Sequence, residues 1–209
     1  DIQGNIGLQA TGPFPLRKSN TGSLVQSLAD PDSLWQGYVP FTELPNTCNP
    51  PQGYVIYGNQ FHAAFLRDST HLSNRWHAPG RARRIEELIL ARRDHSPETL
   101  AAIQEDRIDV LARDNLDYLL SLLGEKSFLE GWQGDTRERE KSLFFDCWFR
   151  FITQELTSGY LSPQSAASYT DMWPAYRWNI LDILKNHMQD WMDHRGEPDT
   201  KAAAMECIR

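Results

Sequence analysis

The chain has 209 residues, 40% of them hydrophobic and seven of them Trp, enough apolar material for a sizeable core and too much for a disordered chain. A net charge of −7 argues against a nucleic-acid partner, and no apolar run approaches the roughly 18 residues of a membrane span. Three cysteines at wide spacing, Cys48, Cys147 and Cys207, suggest neither a disulfide framework nor a paired-cysteine metal site.

In chain order, Asp1 to Asn5 reads as the turn of a β-hairpin whose incoming strand is missing, so the chain is expected to be a piece of a larger protein. Strand signals follow in Asn5 to Gly12 and in the Pro-bounded run Pro13 to Arg17. From Trp35 to Asn59 aromatics mix with Pro40, Pro45, Pro50, Pro51 and several glycines, a poor composition for a helix and a good one for a rigid wall beside a site. The apolar run Tyr54 to Tyr57 reads as a buried strand that breaks into a turn at Gly58-Asn59.

After about residue 78 the period changes. Pro79-Gly80 precede a three- to four-turn helix in which Ile85, Leu88 and Ile89 share a face, while Arg83 and Arg84 read as a solvated face. Ser96-Pro97-Glu98 supplies an N-cap, a first-turn proline and a first-turn acid, so a second helix starts there and breaks near Glu105 to Arg107. A third, about 109 to 123, carries Val110, Leu111, Leu116, Leu119 and Leu120, with Gly124 as its C-cap. Lys141 to Leu156 is apolar around most of its circumference and is expected to be deeply buried. Pro174 to about Asp193 gives a last amphipathic helix, ended by Gly196 and Pro198. The fold class is therefore α+β: a short β portion, residues 1–70, leading into a mainly helical portion, residues 71–209.

The candidate site residue is Asn59. Its neutral amide sits at a turn and can donate a hydrogen bond to a developing oxyanion without a charge that must be desolvated. Judged on turn chemistry alone, an Asn after a Gly is most often only a turn residue. His62, His71 and His77 with Asp68 match no zinc spacing, and His187, Asp190, Asp193 and His194 share a helix face that an ordinary polar surface also explains. No dinucleotide or P-loop signature occurs, and the stripe Phe144, Phe145, Trp148, Phe149 and Phe151 reads as core rather than as a cofactor box.

The runs D-I-Q-G-N-I-G-L-Q-A-T-G-P-F-P-L-R, W-Q-G-Y-V-P-F-T-E-L-P, N-P-P-Q-G-Y-V and G-N at Gly58-Asn59 resemble the middle of the β chain of penicillin amidases. R-A-R-R-I-E-E-L, L-E-G-W-Q-G-D and F-D-C-W-F-R resemble that family's helical segment. The resemblance implies a partial N-terminal nucleophile hydrolase αββα fold and an enzyme hydrolysing an acyl-amine amide bond. In that family the nucleophile is a Ser, Cys or Thr at the start of a self-cleaved chain, with its own α-amino group as base, and the resemblance implies the same here. It implies that Asn59 is the oxyanion donor and that Arg81, 22 residues later, orients it. Gln60 stands where the family commonly has a second Asn, and Tyr57 replaces a usually smaller residue.

No organic cofactor is implied. A structural calcium is possible in the family, but no ligand is assigned in this chain, Asp68 being only a near neighbour of the matching place. The expected partners are an acyl-amide substrate and the remaining chain segments of the parent enzyme, with no nucleic acid and no membrane. The location implied is periplasmic or extracellular. Without the nucleophile the 209 residues alone are expected to be inactive. The alternative is a non-catalytic helical interaction or scaffold module derived from the amidase sequence.

Overall fold

The computed structural model describes residues 1–18, 25–60, 76–123, 128–157, 160–172 and 176–188. The chain divides into two compact units, Asp1–Ala82 and Arg83–Arg209. The architecture is α+β, with short strands preceding a helical portion.

In the first unit Asp1 organises the opening turn. Its carboxylate accepts from the backbone of Gln3 at 2.9 Å and of Asn5 at 2.8 Å, and Gly4 N closes the turn onto Asp1 O at 3.0 Å. Strand β1 (Gly7–Gln9) then pairs antiparallel with β4 (Asn46–Cys48), Leu8 opposite Thr47, and β2 (Pro15–Arg17) pairs with β3 (Trp35–Tyr38), Arg17 opposite Trp35. The Arg17 guanidinium lies 5.8 Å from the Trp35 ring centroid, within cation–π range. Prolines set the intervening turns: Pro31 opens one 3₁₀ turn and Pro40 caps another at Phe41–Glu43.

The expected strand at Tyr54 to Tyr57 does not form. Among the described residues four strands pair off in twos and neither sheet takes up a third, so the run stays irregular, with Tyr57 48% exposed rather than buried. An apolar run identifies a segment that wants cover, but only a neighbouring ladder makes it a strand.

Helix α1 (Gly80–Leu90) is followed by α2 (Pro97–Gln104), α3 (Val110–Leu123), α4 (Arg139–Thr157), α5 (Pro163–Met172) and α6 (Tyr176–Asp182), the last continuing into a π-turn, Ile183–His187. The start of α2 is built as its sequence requires. Ser96 Oγ accepts from Thr99 N and Thr99 Oγ1 from Ser96 N, a reciprocal capping box, with Pro97 in the first turn. Helix α5 starts on a similar Ser-Pro signature: Ser162 caps it through Ser165 N at 3.1 Å, and Pro163 follows. The proposed C-cap at Gly124 and the helix end at Gly196 and Pro198 lie outside the described residues.

The core of the second unit is the seam of Phe145, Trp148, Phe149, Ile152 and Leu156 on α4, packed with Leu111, Leu116 and Leu119 of α3, Trp132, and Tyr176, Ile180 and Leu181 of α6. That seam follows the i, i+3, i+4, i+7 period of one helix face. The opposite face carries Leu143, 67% exposed, with Phe144 and Phe151 also exposed, so α4 is buried on one side and not around most of its circumference as its composition suggested. Buried Thr153 and Thr157 each donate to the carbonyl four residues back, at 2.7 Å, which satisfies their hydroxyls inside the core. Gly134 is obligatory: its φ is +76°, and a Cβ there would stand 2.5 Å from Asp109 O.

Arg84 does not lie on a solvated face. It grips Asp106 with two bonds, at 2.9 and 2.8 Å, and reaches Glu87 at 3.0 Å. Glu87 in turn accepts a two-pronged pair from Arg113, at 2.7 and 2.8 Å, and Asp114 bridges Arg113 and Arg83. The hydrogen bonds from Arg113, opposed by desolvation and aided by Arg84, pull the Glu87 carboxyl down to about 2. Because the folded value is depressed, this network stabilises fully above the ordinary carboxylate range and loses its contribution as pH falls from about 4.5 toward 2. With Glu87 36% exposed, solvent screening holds that contribution to about 1 kcal/mol. Urea unfolding at pH 7 and at pH 3 should therefore show a smaller pH-dependent loss of stability in Glu87→Gln than in the unaltered chain; equal losses would mean that Glu87 is not coupled to folding.

Candidate active site

Asn59 and Arg81, 22 residues apart in sequence, meet within the first unit. Arg81 lies in the first turn of α1, and its Nη2 donates to Asn59 Oδ1 at 2.7 Å and to Gly58 O at 2.9 Å. One guanidinium nitrogen thus holds a side chain and the backbone carbonyl preceding it. The orientation of the Asn59 amide follows: the oxygen faces the guanidinium, a donor-only group, and the Nδ2 hydrogens become the outward pole. Among the described residues no hydrogen-bond acceptor engages Nδ2.

The backbone beneath is equally constrained. Asn59 has φ +63°, the left-handed region, which Asn tolerates better than most residues. Its carbonyl accepts from His77 N at 2.8 Å, and Gln60 and His77 form a parallel bridge. Gly58 is buried, and its N–H donates to the side-chain Oε1 of Gln60 at 2.7 Å. A Cβ on Gly58 would stand 3.2 Å from Ala82 N and 3.4 Å from Gln60 Oε1, tighter than ordinary contact, so the residue before Asn59 has to be small for the turn to sit against α1.

This arrangement presents a neutral N–H donor at an exposed position, on a turn fixed from three directions, with a positive charge one bond behind it. It can stabilise a negative oxygen that develops in front of Nδ2. Polarisation by the guanidinium at Oδ1 strengthens Nδ2–H as a donor.

His77 enters through its backbone, while His62, His71 and Asp68 lie outside the described residues, as do Asp190, Asp193 and His194. Among the described residues no group of three or more His, Cys, Asp or Glu could hold a metal ion, and no helix is long and apolar enough to cross a membrane. The contributions of Gly58 and Gln60 were not assigned from sequence; the only signal was the Gly-Asn-Gln run, whose folding-back of Gln60 onto Gly58 no spacing rule reveals.

A model of the penicillin amidase family matches residues 1–208. An acyl-homoserine lactone acylase, QuiP, of Pseudomonas fluorescens is 30% identical over 201 residues, covering 95% of this chain and 23% of that protein. The QuiP acylase of another strain of that species is 35% identical over 108 residues, 52% of this chain and 13% of that protein. Penicillin acylase 2 proenzyme of a Pseudomonas species is 28% identical over 108 residues, 52% of this chain and 14% of that protein. Among solved structures, the thermostable penicillin G acylase of Alcaligenes faecalis matches with a TM-score of 0.66 over 100% of this chain and 44% of its own, at 15% identity, a likeness of fold. The chain spans less than a quarter of the length of these curated relatives.

The left-handed backbone at Asn59 makes a separable prediction about stability. Asn59→Gly and Asn59→Ala both lose the Arg81 bond, but only Ala must hold a Cβ at positive φ, so Ala should be the less stable by about 1 kcal/mol. Thermal melts of the two variants read that difference; equal melting temperatures would mean the turn relaxes freely.

Proposed function

The chain belongs to the penicillin amidase family, and on that footing we propose that the protein carrying it hydrolyses the amide bond between an acyl group and an amine. Asn59 Nδ2 donates to the oxyanion of the tetrahedral intermediate, and Arg81 fixes and polarises that amide. The observation that carries this reading is the 2.7 Å bond from Arg81 Nη2 to Asn59 Oδ1. It leaves the donor pole of the amide facing outward.

In this reaction a hydroxyl or thiol nucleophile at the start of a chain adds to the amide carbonyl carbon, and its proton passes to its own α-amino group. The carbonyl π electrons move to oxygen, where Asn59 meets them. Collapse breaks the carbon–nitrogen bond, the amine leaves with the proton, and water then releases the acid by the reverse sequence. The nucleophile and its base belong to parts of the protein outside these 209 residues, so the isolated stretch is inactive in this scheme. The names of the relatives, an acyl-homoserine lactone acylase and a penicillin acylase, support an N-acylated small molecule as substrate. Family resemblance also supports a periplasmic or extracellular location.

In the full-length protein, Asn59→Ala should lower kcat by about 10² to 10³, an interaction of about 3 to 4 kcal/mol made mainly in the transition state, while ground-state binding changes much less. Asn59→Gly should lose a similar factor, which separates the missing amide from backbone strain. Arg81→Ala should impair turnover partly by releasing Asn59, so the double variant should fall well short of additive. Steady-state kinetics on an acyl amide decide: near-normal turnover in Asn59→Ala would reduce Asn59 to a turn residue.

A further inference from the structure

We propose that Gln60 is a positioning residue for the oxyanion donor: by accepting the buried Gly58 N–H, its side chain holds the Gly58-Asn59 turn in the conformation that aims the Asn59 amide. This rests on the reading of Asn59 as that donor.

Three interactions fix the turn, and they act on different atoms. Arg81 holds the Gly58 carbonyl and the Asn59 side-chain oxygen. His77 N holds the Asn59 carbonyl, and the same bridge anchors the backbone of Gln60. None of these bonds uses the Gly58 N–H, and Gly58 is buried. A buried backbone N–H without an acceptor is costly, so this donor has to find one. Gln60 Oε1 provides it at 2.7 Å, reaching back over two residues.

The geometry leaves few substitutes. Asn59 is left-handed at φ +63°, a conformation that persists only while its surroundings over-determine it. Its own side-chain oxygen is committed to Arg81. If Gln60 loses its acceptor, the Tyr57–Gly58 peptide gains by rotating its N–H toward solvent, and the change of torsion at Gly58 carries the Asn59 Cα and the direction of Nδ2 with it. An oxyanion donor is sensitive to such a change, because its hydrogen bond is made to an atom that takes its final position only in the transition state. Substrate binding before that point does not use the bond.

The test is made in the full-length protein with Gln60→Leu, which keeps much of the volume and removes the acceptor, and with Gln60→Met as a second acceptor-poor variant of similar reach. Each is measured for kcat and KM alone and in an Asn59→Ala background. The expected result is a fall in kcat of about 5- to 10-fold, with KM within about twofold of normal, and little or no further fall once Asn59 is Ala. A merely structural role would act on both backgrounds alike. Impaired Asn59→Ala with unimpaired Gln60→Leu and Gln60→Met overturns the positioning role alone, as does an equal loss in both backgrounds. Normal turnover in Asn59→Ala overturns the oxyanion reading itself, and the role of Gln60 falls with it.

Discussion

The first unit's candidate site hangs on a single guanidinium nitrogen. Arg81 Nη2 donates both to Gly58 O and to Asn59 Oδ1, and each bond would be weaker without the other. The carbonyl bond places Arg81 against the turn, so the side-chain bond forms at little further cost in rotamer freedom. A lysine could not do the same work in the same way. Its ammonium is a strongly hydrated point charge on a flexible stem, whereas a planar guanidinium fixes the direction of the amide it touches.

The second unit uses charge differently. Arg84, Glu87, Asp106, Arg113, Asp114 and Arg83 form a connected network of opposite charges at 2.7 to 3.0 Å. Its central pairs are two-pronged, which gives direction as well as attraction. The apolar seam of α4 supplies most of the cohesion by removing Phe145, Phe149 and Ile152 from water. The ionic network contributes less free energy and more register, because a two-pronged pair tolerates little sliding of one element past another.

How much of this was legible in the sequence depends on the range of the interaction. Local chemistry is the most readable: Ser96-Pro97 announces the start of α2, and its capping box forms from residues three apart. The same Ser-Pro signal stands at Ser162-Pro163, where α5 begins. Composition misjudged α4, because exposed Leu143, Phe144 and Phe151 count as apolar wherever they point. A strand at Tyr54 to Tyr57 was read from an apolar run, but strand formation is decided by a distant neighbour. The ion pairs of Arg84 are invisible for the same reason: Asp106 is 22 residues away, in the connection between α2 and α3. Asn59 and Arg81 were named together only through the resemblance, since nothing local links a turn to a helix 22 residues on.

The pairing of a neutral amide with an arginine behind it also answers a chemical question that the proposed function raises. An arginine placed directly at the oxyanion would stabilise it more strongly, but amide hydrolysis ends in a carboxylate, and a bare guanidinium would hold that product by a two-pronged ion pair. Product release would then limit turnover. With Asn59 interposed, the positive charge is engaged by Oδ1 and by Gly58 O, and under the proposed function a polarised N–H, not the guanidinium, meets the reacting oxygen. Such a donor gains most as the carbonyl oxygen takes up a full charge in a fixed place. It gains less from a carboxylate, whose charge is divided between two oxygens that can turn to water. Interposing the amide gives up some electrostatic strength and returns selectivity for the transition state over the product.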